Sequence, residues 1–158
     1  MSKKKNLYVG KAGQFAAMSE FLLRGWNVAV PEVDVGDDIF VVRDTDGEFW
    51  RIQVKTAIST ERRNGFSAQF SLPLTQVQER FVPELTYIFM VLNKSRWQPP
   101  VVMSRRDLLN KFESQKMGNV AGDNLILYFS FQEKKIICSN VDLIEYVDNF
   151  RQFPVIDH

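Results

Sequence analysis

A chain of 158 residues fits one domain around one core, and a composition of 45% hydrophobic and 25% charged residues is that of an ordinary globular protein. With 20 Lys and Arg against 19 Asp and Glu, the formal net charge is +1 and is spread evenly along the chain, which excludes phosphate binding driven by bulk charge but leaves room for a local basic groove. No run approaches the roughly 20 apolar residues of a membrane-spanning helix, and Met-Ser-Lys-Lys-Lys at the start leads into no apolar leader, so a cytoplasmic setting without a membrane partner is expected.

Gly13 to Arg24 places Phe15, Met18 and Leu22 at helical spacing and has Gly25 as a stop, which predicts a first helix preceded by a solvated lysine tail, Lys3 to Lys5. Trp26 to Val30 reads as a short strand closed by Pro31. Asp38 to Arg43 and Phe49 to Ala57 are β-rich runs joined by Asp44-Thr45-Asp46-Gly47, the signature of a hairpin. Phe66 to Phe70 alternates as a strand does, and Leu74 to Val82 reads as a short helix. Thr86 to Leu92 is almost wholly apolar, as a central strand buried on both faces requires. Val101 to Met103 is a short strand, and Ser104 with Asp107 starts a helix that runs to about Ser114. Leu125 to Phe131 and Lys135 to Cys138 form a last hairpin, and Asn140 is expected to cap a helix ending near Phe150. This order predicts an α/β fold in which a mixed β-sheet is flanked by α-helices, all within a single domain, 1–158.

The scarcity of two residue types narrows the chemistry. Cys138 is the single cysteine and sits in an apolar stretch, which marks it as a buried thiol; His158 is the single histidine and the last residue. Ser-His and Cys-His catalysis and ordinary zinc sites are thereby excluded, and any chemistry runs on carboxylates, amides, lysines or hydroxyls.

The first hairpin brings such groups together. Gln53 and Lys55 stand on one face of their strand while Trp50, Ile52 and Val54 face the other way. A four-residue loop sets Asp38 opposite Gln53, whereas a two-residue loop sets it opposite Lys55; either way all three share a face. A carboxylate, an amide oxygen and a lysine suit a hard cation and a phosphate. Mg2+ takes oxygen ligands and keeps several waters, and a lysine offsets charge that builds on phosphate.

Asp38-Ile39-Phe40-Val41-Val42 followed by Arg51-Ile52-Gln53-Val54-Lys55-Thr56 resembles the PD-(D/E)XK nuclease superfamily, in the variant with Gln in place of the last acid. The preceding Gly13-Gln14 helix, Arg24-Gly25-Trp26-Asn27-Val28 and Pro31 are similar to the restriction endonuclease-like branch that holds Holliday junction resolvases and one type of group I intron homing endonuclease. The resemblance implies a Mg2+- or Mn2+-dependent endonuclease that hydrolyses DNA phosphodiester bonds. Asp38 and Gln53 would be metal ligands, Lys55 the catalytic lysine, and Gln14 would stand where the family often has a Glu on its first helix.

Asp34 is the preferred second carboxylate, ahead of Asp37, because Gly36 permits a turn back to the site. Arg62 and Arg63 follow the lysine-bearing strand and are candidates to grip a nucleic-acid backbone, together with Lys11. Arg105 and Arg106 stand in the first turn of a helix, where the dipole disfavours positive charge, so a partner is expected to offset them. Phe15, Phe21, Phe66, Phe70 and Phe89 fall in core-like patterns. A homodimer or higher homo-oligomer would let a small neutral chain address both strands of a duplex. The alternative is a catalytically inactive nuclease-like module that binds nucleic acid or a protein partner, motivated by amides at both Gln14 and Gln53.

Overall fold

The first hairpin shows how local signals set the frame. In a computed structural model that describes residues 2–158, β2 (Ile39–Arg43) and β3 (Glu48–Ile58) pair antiparallel with Arg43 opposite Glu48 and Ile39 opposite Ile52, the four-residue-loop register. The Asp46 and Gly47 N–H groups both donate to the Arg43 carbonyl and close the turn. Ahead of this hairpin come α1 (Lys3–Leu23) and β1 (Asn27–Ala29), the latter on the free edge of β2. After it come β4 (Thr60–Arg62), β5 (Gly65–Pro73), α2 (Leu74–Gln78), β6 (Leu85–Asn93), β7 (Arg96–Trp97), β8 (Val101–Ser104) and α3 (Arg105–Gln115). The chain closes through β9 (Asn119–Ala121), β10 (Asn124–Gln132), β11 (Lys135–Cys138), β12 (Val141–Asp142) and one 3-10 turn, Ile144–Tyr146.

The strands form two sheets. The mixed sheet runs β1-β2-β3-β6-β7, with β8 also on β6; its parallel pair is β3 with β6, from Arg51 opposite Leu85 to Ile58 opposite Leu92. As its apolar run predicts, β6 is central and buried on both faces. The antiparallel sheet runs β12-β11-β10-β5-β4, with β9 on β10. The expected α/β fold with a flanked mixed sheet is what forms. α1 covers one face over Ala17, Phe21, Ile52, Val54 and Met90; α2, α3 and the second sheet cover the other over Tyr87, Phe89, Leu108, Leu127 and Phe129. No local signal assigned strands to the second sheet, because partition between sheets depends on contacts distant in sequence.

Three readings are corrected. The first helix starts ten residues earlier than expected, because the Ser2 hydroxyl caps it by accepting the Lys5 N–H at 3.3 Å, so Lys3 to Lys5 are helical. Its buried residues are Gly13, Gln14, Ala17 and Phe21, while Phe15 and Leu22 are exposed. Close approach decides this: a Cβ on Gly13 would stand 2.2 Å from Thr56 Oγ1, so only small side chains admit the helix to β3. The helix expected after Asn140 does not form. Ser139 and Asn140 both take positive φ, 48° and 68°, and make a tight hairpin turn between β11 and β12, a use of Asn that competes with helix capping.

Elsewhere the arginine cost at the start of α3 is met inside the chain. Arg105 donates from Nε and Nη2 to the Glu84 carboxylate at 2.6 and 3.0 Å and from Nη1 to the Val77 carbonyl at 2.8 Å. Cys138 is buried, as expected. The last residues are tied down, with Trp26 Nε1 donating to the Pro154 carbonyl and the His158 ring 2.8 Å from the Gly25 carbonyl. No helix among the described residues is long and apolar enough to cross a membrane.

Candidate functional site

β3 is 11 residues long and β2 only five, so past Ile52 one edge of β3 has no strand partner. Asp38, the residue before β2, fills the gap. Its own N–H donates to the Ile52 carbonyl at 2.9 Å, and its Oδ2 accepts the Val54 N–H at 2.8 Å and Gln53 Nε2 at 2.5 Å. The carboxylate thus continues the ladder that β2 abandons, and satisfies a donor that would otherwise be orphaned.

Asp38 Oδ1 and Gln53 Oε1 accept no hydrogen bond among the described residues, and neither is a buried unsatisfied atom, so both open to the adjoining cleft. This cleft holds about 310 Å³ and is lined by Asn6, Lys11 and Gln14 of α1 together with Asp38, Gln53 and Lys55. Lys55 is half-buried and makes no hydrogen bond among the described residues. Burial draws its pKa below the ordinary lysine value, against the pull of Asp38 and then of Asp34. Burial raises the Asp38 pKa, opposed by the Val54 N–H and by Lys55.

Asp38, Gln53, Lys55 and Lys11 therefore converge on one cleft, with Gln14 beneath it. Both ends of the Gln14 amide are engaged: Nε2 donates to the Asp38 carbonyl at 2.9 Å, and Oε1 accepts Lys11 Nζ at 2.9 Å. Gln14 pins α1 to the start of β2 and positions Asp38. Asp34 stays exposed. Gly36 does take the expected positive φ, 99°, but the turn directs Asp34 Oδ1 to the Gly36 N–H at 3.0 Å, so its charge reaches Asp38 and Lys55 only through space.

The buried neighbour is Asp37, paired with Arg51 Nη1 at 3.3 Å while Asp37 Oδ1 and Arg51 Nε find no partner among the described residues. Desolvation raises its pKa, Arg51 lowers it and Asp34 raises it. Arg62 and Arg63 lie away from this cleft, on β4 and the turn after it. Sequence reasoning missed Asn6 and Leu7 as cleft residues. Ser2 was the available signal, since an N-cap there extends the helix far enough to bring them in.

Among the described residues no group of three His, Cys, Asp or Glu stands close enough to hold a metal ion. The available donors are one carboxylate oxygen and one amide oxygen, a set that fits a hard cation content to keep most of its waters and does not fit zinc.

No protein-family model matches the chain, and no curated protein matches it in sequence. Among solved structures the fold is similar to that of a bacterial homing endonuclease, I-Ssp6803I, with a TM-score of 0.56 and 18% identity, over 96% of this chain and 91% of that one. The likeness extends over nearly the whole chain and is one of fold, a mixed α/β architecture consistent with that of a nuclease.

Proposed function

We propose that the chain is a metal-dependent endonuclease that hydrolyses phosphodiester bonds of DNA. The observation that carries this reading is the convergence of Asp38, Gln53 and Lys55 on one cleft, at the unpaired edge of β3, in a fold similar to that of a homing endonuclease. Asp38 Oδ1 and Gln53 Oε1 would hold Mg2+ or Mn2+. Such an ion supplies Lewis-acid polarisation and lowers the pKa of its water.

The chain's own groups do the rest. Gln53 Nε2 and the Val54 N–H hold Oδ2 of Asp38, which fixes the carboxylate plane and leaves the other oxygen facing the cleft. Gln14 holds the backbone of Asp38 from behind. Lys55 offers a desolvated positive charge to the phosphate as negative charge builds there. In the same reading two copies act on a duplex, one per strand.

The sparse donor set, with one carboxylate at the cleft, is the observation that favours the second reading, a module that binds without cleaving. Supercoiled plasmid, single-stranded DNA and a four-way junction, each incubated with Mg2+ or Mn2+, separate the two. Cleavage by the wild type that is lost in Lys55→Ala supports the enzyme. Equal cleavage by both proteins points to a contaminant. DNA binding with no cleavage of any substrate transfers the conclusion to the module.

A further inference from the structure

We propose that the outward face of the antiparallel sheet reads base sequence in duplex DNA, with Arg62 and Gln69 as specificity-determining side chains. This rests on the reading of the chain as a DNA endonuclease and adds to it where the substrate lies and how it is chosen.

The first support is a continuous path. Asn6, Gly10 and Thr56 line both the candidate catalytic cleft and a second depression beside it, which continues to Thr60 and Gln69. Gln69 is on the outward face of β5, directly opposite Tyr128 on β10. A strand of nucleic acid seated at Asp38 is thereby led onto this face.

The second support is the chemistry of the face. Ala68, Phe70, Leu72, Leu127 and Phe129 turn inward to the core, so their neighbours Ser67, Gln69, Ser71 and Tyr128 turn outward. Among the residues that β4, β5, β9, β10 and β11 direct outward, none is a carboxylate, although acids number 19 in the chain. The acid that the register puts on that side, Asp142, belongs to the far edge strand β12 and is engaged by the Ile144 N–H. Hydroxyls, amides and a guanidinium without competing acids are complementary to a polyanion whose base edges offer acceptors and donors.

The third support is the preparation of Arg62. Its Nε donates to Ser67 Oγ and to Tyr128 Oη, both at 3.0 Å, and it forms no ion pair among the described residues. Two hydroxyls thus fix the plane of the guanidinium while both Nη groups have no partner among the described residues. A fork held this way matches the O6 and N7 acceptors of guanine, and a glutamine amide matches N6 and N7 of adenine. The major groove is wide enough to admit a two-stranded ribbon such as β4 with β5.

The test uses a pool of duplexes with a long randomised centre, cut in Mg2+, with the cleaved ends sequenced. The expected result is a wild-type consensus in which Arg62→Lys loses about tenfold of its preference at a guanine and Gln69→Ala a similar amount at an adenine, other positions being unchanged. Both side chains are exposed, and matched melting curves check that the variants fold. A consensus identical in all three proteins overturns the inference and leaves the enzyme standing. So does a wild type that cuts without any consensus, or variants weakened uniformly at every position, the mark of phosphate contacts. A pool left uncut by the wild type overturns the endonuclease reading and this inference with it.

Discussion

In the antiparallel sheet, β5 and β10 turn an unbroken series of apolar side chains inward, whereas β3 in the mixed sheet breaks its pattern at the one place where β2 stops short, and there buries Gln53 beside Asp38. The first arrangement is what stability alone favours: every inward side chain is apolar, and the polar side chains stand on the other face. The second carries costs. Asp37 is buried with one oxygen unpartnered among the described residues, Lys55 is desolvated, and the Asp38 carboxyl is held against the preference of its surroundings for the neutral form. Groups so placed are costly to fold and useful to chemistry, which is why the comparison separates scaffold from site.

Four changes test that separation. The largest effect is expected on activity: Asp38→Asn keeps an oxygen for the Val54 N–H and so keeps the fold, but removes the charge, and plasmid cleavage should fall by about a hundredfold or more. An Asn variant that cuts at the wild-type rate would take Asp38 out of the site. On the scaffold side, Phe129→Ala removes a ring that is fully buried against Phe70 and Phe89 and should cost about 3–5 kcal/mol in urea unfolding.

Gln14→Ala comes next. It strips the Asp38 carbonyl of its side-chain donor and should cost about 1–2 kcal/mol, together with a drop in cleavage rate that Phe129→Ala, measured where it is folded, does not show. The smallest effect has the opposite sign. Because burial raises the Asp37 pKa above its unfolded value of 3.8, its contribution to stability is fully present below that pH and is lost as pH rises through the folded value. Asp37→Asn should therefore melt above the wild type at neutral pH in metal-free buffer, with the gap closing on acidification below 3.8. A lower melting point at neutral pH would mean that the ion pair with Arg51 outweighs desolvation.

The same contrast accounts for what could be read from the residues alone. The hairpin was legible because Asp44-Thr45-Asp46-Gly47 is a strong turn and the strands on either side have a period of two, so the shared face of Asp38, Gln53 and Lys55 followed from alternation. The central place of β6 followed from its unbroken apolar run. The buried face of α1 did not follow, since hydrophobicity favoured Phe15 and Leu22 whereas the fit against Thr56 selected Gly13, and Ala17 one turn on is buried with it. Asn140 has two common uses, as a helix cap and as a residue that tolerates positive φ; only pairing between β11 and β12 decides between them. Asp34 and Asp37 stand three residues apart on either side of Gly36, and nothing local says which the turn will bury.

The bare contact between Gly13 and Thr56 reaches beyond packing. Thr56 follows Lys55 on the strand and Gln14 follows Gly13 on the helix, so the spot where the two elements touch adjoins the wall of the cleft. The opening is gauged by a methyl group that is not there. Any side chain at position 13 would act as a shim, prising the helix and its Lys11 away from the strand that carries Lys55, and the width of the cleft would change before any residue inside it had been altered.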